Sequence, residues 1–379
     1  MREMNTDILS NQPNKVVALY PFSSQDNPYL RLTQMAIEDG GYCVAPCKTP
    51  GKYSASSSPS FLVLNWFDEI KGNPLSAIAR FVKRYTEAVL SQRRGTKVIF
   101  VIHNRVPHDG ASNVSTFLSR RLRLVLCQRA SAIVGLCTAT KDVIKDAFPE
   151  LSPGEVDRKF HYVPHPTYAP IYDFSFQGIG DVTRPEKGTV DSSFTFLFVG
   201  LIRPYKNVEL ILRVARYFEE HDYQATFVIA GKALRQSYLD ELRCAAPGNV
   251  RIREGFVPDD EMCSLIKGSD ALILPYNIES SLNSGTCMLA FTFGRTVICP
   301  DIGTLEGIPD DLVYKYTYVD AEGHERHLLA ESLRAYRDKL ANPIRFAENG
   351  DAIREIVLQR HSISEVGRAW SAVFEAVEE

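Results

Sequence analysis

The sequence predicts an α/β protein of two doubly wound parallel sheets, and three observations lead there. At 379 residues the chain exceeds what one ordinary core accommodates, so two domains are the natural division. Short apolar runs alternate with longer helical stretches along the whole chain, the pattern of βαβ units. The runs are nearly all apolar rather than alternating, as parallel strands covered on both faces require.

The first set of predicted strands lies at 15–20, 42–45, 61–66, 97–102, 131–136 and 160–163. The second lies at 194–200, 225–231, 249–254, 271–275 and 296–300. Between the sets, residues 171–193 (IYDFSFQGIGDVTRPEKGTVDSS) lack helical periodicity and are rich in Gly, Asp and Ser, the composition of a linker or surface excursion. The expected organisation is a Rossmann-like domain over 1–170, the linker over 171–193, a second such domain over 194–355 and a closing helix over 356–379. Ligands are expected in the cleft between the sheets. The closing helix is marked by a capping box, Ser362-Ile363-Ser364-Glu365, then Val366, Trp370, Val373, Phe374 and Val377 at helical spacing. Its apolar face must be buried, though spacing alone does not say against which domain.

Apolar residues make up 45% and charged residues 23%, ordinary for a soluble globular chain. No apolar run reaches the roughly 18 residues of a spanning helix, and the N-terminal MREMNTDILSNQPNK has no apolar signal core, so a cytoplasmic location is expected. The eight cysteines form no CxxC pair and several sit in apolar runs (Cys137, Cys299), the pattern of reduced thiols rather than disulfides or a metal site. The net charge of −3 conceals an asymmetry: residues 80–129 hold eleven Lys or Arg against two acids, Glu87 and Asp109, a net of +9 that leaves −12 elsewhere. These cations are interleaved with apolar residues in RFVKRYTEAVLSQRR and FLSRRLRLVLCQR. Solvated helix faces account for part of this, but the bias points to a surface facing phosphates or anionic lipid, with Arg120, Arg121 and Arg123 on it.

The most informative segment is FTFLFVGLIRPYKNVELILRVARYF, 194–218. A strand ends at Gly200, a short loop delivers Arg203 and Lys206, and a helix follows. Two cations between a strand end and a helix start can neutralise a diphosphate, and Gly200 lets a ligand approach the backbone. The plain alternative is a strand, a turn and a helix with two solvated cations. In 270–300 another strand ends at Pro275-Tyr276, and Asn283-Ser284-Gly285-Thr286 opens a helix whose N–H groups and dipole suit a phosphate. Between them, a strand ends at Glu254-Gly255-Phe256-Val257, where backbone groups are candidates for a nucleobase edge. An ordinary loop there is the equal alternative.

Taken in order, VGLIRPYKNVELIL, FVIAGKA, EGFVPDDEMCSLIKGSDALILPY and SLNSGTCMLAFTFGRTVICP resemble the donor domain of GT-B glycosyltransferases, above all glycosyltransferase family 4 and its bacterial polysaccharide-building relatives, over about residues 194–310. NWFDEI and VIFVIHNRVPHD extend a weaker resemblance into the first half. The resemblance implies two Rossmann-like domains, a nucleotide-diphosphate sugar in the cleft and a final helix returning to the first domain. It also implies that Arg203 and Lys206 contact the diphosphate and that the loop opening at Asn283 holds the phosphate or the sugar. Gly200, Phe256, Val257, Tyr276, Ser284, Gly285 and Thr286 complete the expected donor site. Many relatives carry two glutamates eight positions apart here; the alignment puts Ser281 and Leu289 in their places, with Glu279 out of register.

The first half is then expected to hold the acceptor. Asp26, in the loop after the first strand, is a candidate general base, with a turn or capping Asp as the alternative. His103-Asn104-Arg105-Val106-Pro107-His108-Asp109 forms a denser polar cluster after the strand at 97–102, and His103 is the second candidate base. Asn104, His108 and His165, the last in Val163-Pro164-His165-Pro166, are expected in the cleft. No GxxxxGK[ST], no GxGxxG after the first strand and no zinc-like spacing occurs, so no cofactor and no metal are expected. The expectation is a glycosyltransferase acting on a polyprenyl- or lipid-linked glycan at the inner face of the plasma membrane, with no nucleic-acid partner. The alternatives are a nucleotide-sugar epimerase of the same fold and a non-catalytic nucleotide-sugar-binding scaffold.

Overall fold

The structure, a computed structural model, describes residues 15–22, 28–52, 58–106, 112–172 and 193–378. The first domain runs β1 (Val16–Tyr20), α1 (Tyr29–Asp39), β2 (Cys43–Pro46), β3 (Phe61–Asn65), α2 (Pro74–Arg93), β4 (Lys97–Ile102), α3 (Asn113–Arg129), β5 (Ala132–Gly135), α4 (Thr140–Ala147), α5 (Pro153–Lys159) and β6 (Phe160–Tyr162). The second runs β7 (Phe194–Val199), α6 (Val208–Glu220), β8 (Ala225–Gly231), α7 (Gln236–Ala245), β9 (Val250–Glu254), α8 (Asp259–Lys267), β10 (Ala271–Ile273), α9 (Gly285–Thr292), β11 (Thr296–Pro300), β12 (Tyr314–Tyr316), α10 (Ala321–Ala341) and α11 (Pro343–Arg360), and α12 (Ile363–Ala376) closes the chain.

Each domain holds a six-stranded sheet, in the orders β2-β1-β3-β4-β5-β6 and β12-β11-β10-β7-β8-β9, and the pairs are parallel. The central strands are buried on both faces, which is why FLVLN and KVIFVI read as continuous apolar runs. In each sheet the strand order reverses once, between β1 and β3 and between β7 and β10. A crevice opens at such a switch point beyond the strands' C-terminal ends. In both domains an asparagine braces it: Asn65 Nδ2 donates to the Tyr20 carbonyl at 3.4 Å, and Asn207 Nδ2 to the Pro275 carbonyl at 3.0 Å.

The closing helix returns to the first domain. Ser362 caps α12, its side chain accepting from the Glu365 N–H at 3.3 Å. Val366, Trp370, Val373 and Phe374 then join Val17, Leu19, Phe61 and Ile99 in the first domain's core. Gly367 lets α12 lie against α1, since a Cβ there would stand 2.5 Å from the Ala36 carbonyl oxygen. Two features differ from the sequence reading. β12 was not expected, because YKY is short and interrupted by a lysine. α11 continues to Arg360 with Ile353 and Val357 in the second domain's core, so the expected division at 356 falls inside a helix. Residues 173–192 of the expected linker lie outside the described residues.

Candidate functional site

The two sheets face each other across a cavity of about 620 Å³ lined by the C-terminal ends of their central strands. On the second domain's side, β7 is followed by Gly200, whose φ of +133° a side chain would rarely tolerate. A Cβ at Gly200 would stand 3.2 Å from Lys206 Nζ and 3.9 Å from Thr286 Oγ1, so this position brings the two converging groups together. A 3-10 turn, Pro204–Lys206, carries the lysine, and Asn207 then takes a left-handed conformation (φ 51°) to start α6. Asparagine tolerates that conformation better than most residues. The half-buried Lys206 ammonium lies between the Phe198 and Tyr276 rings, and burial, then the nearby Arg203 charge, pull its pKa down to about 8.

Across the crevice, Ser284 caps α9 by accepting from the Cys287 N–H at 3.1 Å, and its hydroxyl donates to Tyr276 Oη at 3.0 Å. Gly285 leaves room for the interdomain segment, because a Cβ there would stand 2.5 Å from Tyr168 Oη. An ammonium and a helix N-terminus thus converge on one cavity, an arrangement that suits an anion with two phosphates.

On the first domain's side, His103 follows β4. Its Nε2 faces Asn65 Oδ1 at 3.0 Å, its ring stacks on Trp66 at 4.1 Å, and Tyr29 packs edge-on at 5.1 Å. The Asn65 oxygen only accepts, so Nε2 carries the hydrogen and Nδ1 the lone pair. Burial, then the His165 and Arg123 charges, hold His103 down to about 3. His165 turns Nδ1 to the Pro166 carbonyl at 2.9 Å, and burial holds it down to about 4. Its Nε2 is 3.7 Å from a Cβ built on Gly285, so its lone pair faces the start of α9. The domains are clasped around the site: Asn283 Nδ2 donates to the His103 carbonyl at 3.0 Å, Arg105 N–H to the Ser280 carbonyl at 3.2 Å, and Thr138 N–H to Glu306 Oε2 at 2.7 Å.

Residues 181–315 match the family described as "Glycosyl transferases group 1". The chain is a glycosyltransferase similar to that family across its second domain. By sequence this glycosyltransferase is similar to a GDP-mannose:glycolipid 4-beta-D-mannosyltransferase of Xanthomonas campestris pv. campestris, 24% identical over 281 residues, which cover 73% of this chain and 71% of the relative. By structure it is similar to HepE of Anabaena in complex with UDP, with a TM-score of 0.64 at 12% identity, covering 95% of this chain and 99% of that one. It also matches TarM of S. aureus, solved with UDP, at a TM-score of 0.57 and 13% identity; 83% of this chain is covered, and it spans 55% of that longer chain. The fold is GT-B: two Rossmann-like domains and a final helix packed on α1.

Most of the donor-site candidates of this glycosyltransferase line this cavity: Gly200, Lys206, Phe256, Val257 and Tyr276, together with Asn283, Ser284, Gly285 and Thr286. His103, Asn104 and His165 line it from the other side. Arg203 stands at the entrance to the 3-10 turn and is not among the lining residues. The Phe256 carbonyl, expected to meet a base edge, accepts from Arg253 Nη1 at 2.9 Å, while the Phe256 ring lies exposed at the cavity. Ser281 and Leu289 both line the cavity, so where relatives have two glutamates this chain presents a hydroxyl and an apolar side chain. Asp26 and His108 lie outside the described residues.

Arg123 does not face outward. It is buried, its Nε donates to Asp68 Oδ2 at 2.7 Å, and its Nη1 reaches the Asn104 and Arg105 carbonyls. Arg120 is exposed and donates to the Ala147 carbonyl at 2.8 Å; Arg121 is exposed. The sequence reading missed the ring cage of Tyr29, Trp66 and Tyr168, the brace at Asn207, and Asp259, the carboxylate among the described lining residues, which Tyr172 Oη approaches at 3.4 Å. Asn207 was legible as a polar residue immediately before a helix; the cage was not, because its members come from three separate segments.

Proposed function

We propose that this glycosyltransferase moves a hexosyl unit from a nucleotide-diphosphate sugar, UDP- or GDP-linked, to a polyprenyl- or lipid-linked glycan acceptor in polysaccharide or glycolipid assembly. The observation that carries the donor half is the convergence of the Lys206 ammonium, the Gly200 backbone and the Ser284-capped start of α9 on one cavity. Lys206 and the α9 N–H groups stabilise the departing diphosphate without a metal, and Arg203 adds charge from behind. The Phe256 ring stacks on the base, and Val257 and Tyr276 wall the nucleoside side. His165, with its lone pair toward α9, and Asn104 accept and donate to hydroxyls of the transferred sugar or the acceptor. His103, held neutral well below its ordinary range, is a positioning partner rather than a strong base, which leaves Asp26 as the candidate for deprotonating the acceptor hydroxyl. The lipid-linked acceptor is supported by the Xanthomonas relative, whose acceptor is a glycolipid by name, and by the cationic first domain.

The test is a thermal-shift panel of GDP-mannose, other GDP-sugars, UDP-sugars and ADP-sugars, followed by transfer assays with the stabilising donor and a lipid-linked glycan. A ligand bound only by the folded state raises the midpoint. Stabilisation by one donor class with turnover supports the reading. Binding without hydrolysis or transfer to any acceptor favours the scaffold alternative, for which Ser281 and Leu289 in place of the glutamates speak.

A further inference from the structure

α2 and α3 lie side by side on one face of the first sheet, Ser115 Oγ donating to the Gly72 carbonyl at 2.9 Å near their starts and Gln92 Nε2 to the Arg129 carbonyl near their ends. α2 turns Ala77, Glu87, Ala88 and Ser91 inward. Outward it presents Leu75, Ile78, Val82 and Tyr85, spaced i, i+3, i+7 and i+10, which is one continuous stripe on a helix. Leu75 is 82% exposed and Val82 55%, and on the neighbouring helix Phe117 is 63% exposed. Apolar exposure gathered on one face needs a partner.

Charge says which partner. Val114, Phe117 and Arg121 share a face of α3 at i, i+3 and i+7, and Arg93 and Arg94 stand at the far end of α2. Among the described residues of 80–129 the only acid is Glu87, which is buried, so no exposed carboxylate interrupts these two helices. No described helix is long and apolar enough to cross a membrane. An apolar stripe beside cations and free of acids fits an anionic lipid surface, entered to headgroup depth. Position adds purpose. α2 and α3 start beyond the C-terminal ends of β3 and β4, the same edge that delivers Trp66, His103 and Asn104 to the cavity. Leu75, Ile78, Val114 and Phe117 occupy the early turns of helices that start on the cleft side of the first sheet.

We infer that the outward stripe of α2 and the first turns of α3 form an insertion footprint for an anionic bilayer, holding the cleft mouth at the headgroup plane. The binding needs only these side chains; its service to a lipid-linked acceptor rests on the function proposed above. The test uses the full chain with phosphatidylcholine vesicles, with and without phosphatidylglycerol. The protein co-sediments with the anionic vesicles, Leu75→Glu combined with Val82→Glu weakens this by about tenfold or more, and nucleotide-sugar binding by thermal shift is unchanged. The emission of the Phe117→Trp variant blue-shifts on adding anionic vesicles. No vesicle binding by the parent chain, equal binding by the Glu variants, or an unshifted emission from the Phe117→Trp variant overturns the footprint. So does a stable dimer in solution that Val82→Glu dissociates, since the stripe would then serve a second copy. Vesicle binding without transfer to a lipid-linked acceptor overturns the proposed acceptor and leaves the footprint standing; transfer to a detergent-dispersed lipid-linked acceptor without vesicle binding does the reverse.

Discussion

The Lys206 ammonium lies 5.7 Å from the centre of the Tyr276 ring, with the Phe198 ring at 5.6 Å on another side. Aromatic faces favour a cation, but they do not replace water, and the pKa settles at about 8. A diphosphate beside the ammonium raises that pKa again, so binding takes up a proton at pH values above 8. Donor affinity is therefore level below about pH 8 and falls above it, by up to about tenfold per pH unit, until the complex itself deprotonates. The diphosphate of a nucleotide sugar is esterified at both ends and keeps its charge across this range. Titration calorimetry between neutral and alkaline pH reads the slope. Lys206→Met weakens binding by about 10- to 100-fold at neutral pH and flattens the profile. A parent profile already as flat as the variant's removes Lys206 from the phosphates.

Gly231 ends β8 with φ +151°, and a Cβ there would stand 1.7 Å from the Gly200 carbonyl oxygen. No side-chain rotation relieves a clash with backbone. Gly231→Ala must displace the strand end that carries Gly200, at a cost of about 3 kcal/mol from strain and overpacking together. Gly95→Ala is the control: its φ of +84° also strains a side chain, but nothing lies within 4 Å of the added carbon. Urea unfolding separates the two, and donor affinity falls only for Gly231→Ala. Equal losses at both positions would mean that the contact with Gly200 has no weight.

What could be read from the sequence follows from where each signal resides. A buried parallel strand announces itself locally, so the all-apolar runs located eleven of the twelve described strands, and the capping box at Ser362 located α12. The second domain's wall of the cavity was legible for the same reason, since strand end, cation and helix start are contiguous at Gly200 through Asn207 and at Asn283 through Thr286. Gly231 gave no hint of its role, because its constraint is the neighbouring strand's carbonyl and not its own segment. Arg123 misled because an arginine between leucines has the same composition on a solvated face as in a buried pair. The partner that decides, Asp68, lies 55 residues away.

Arg123 accordingly acts on stability, not on docking. Its guanidinium serves Asp68 and two backbone carbonyls in a closed space. Arg123→Ala leaves a buried carboxylate alone, and removing one member of a buried pair costs about 3–5 kcal/mol. Arg123→Ala combined with Asp68→Ala recovers part of that loss, because no charge remains stranded. Arg121→Ala, at an exposed position, leaves the unfolding midpoint nearly unchanged and lowers vesicle binding instead. A small stability loss for Arg123→Ala would contradict the buried pair.

His103 and His165 give the pH counterpart on the acidic side. Burial holds them to about 3 and about 4 in the folded chain, against an ordinary value near 6.5. As pH falls below 6.5 the unfolded chain takes up protons that the folded chain refuses, so stability is lost progressively from there down to the folded values. His103→Gln keeps a hydrogen-bonding side chain but cannot be protonated. Its unfolding free energy drops less than the parent's between pH 7 and pH 5, and His165→Gln behaves likewise. Catalysis carries the matching sign: both rings stay neutral through this interval, so neither supplies an inflection near 6.5 in kcat/KM. If the parent shows such an inflection and His103→Gln abolishes it, the histidine is ionising in the free enzyme and is the acceptor's base after all. If the inflection persists in both variants, a different group titrates, and Asp26→Asn is the next variant to measure.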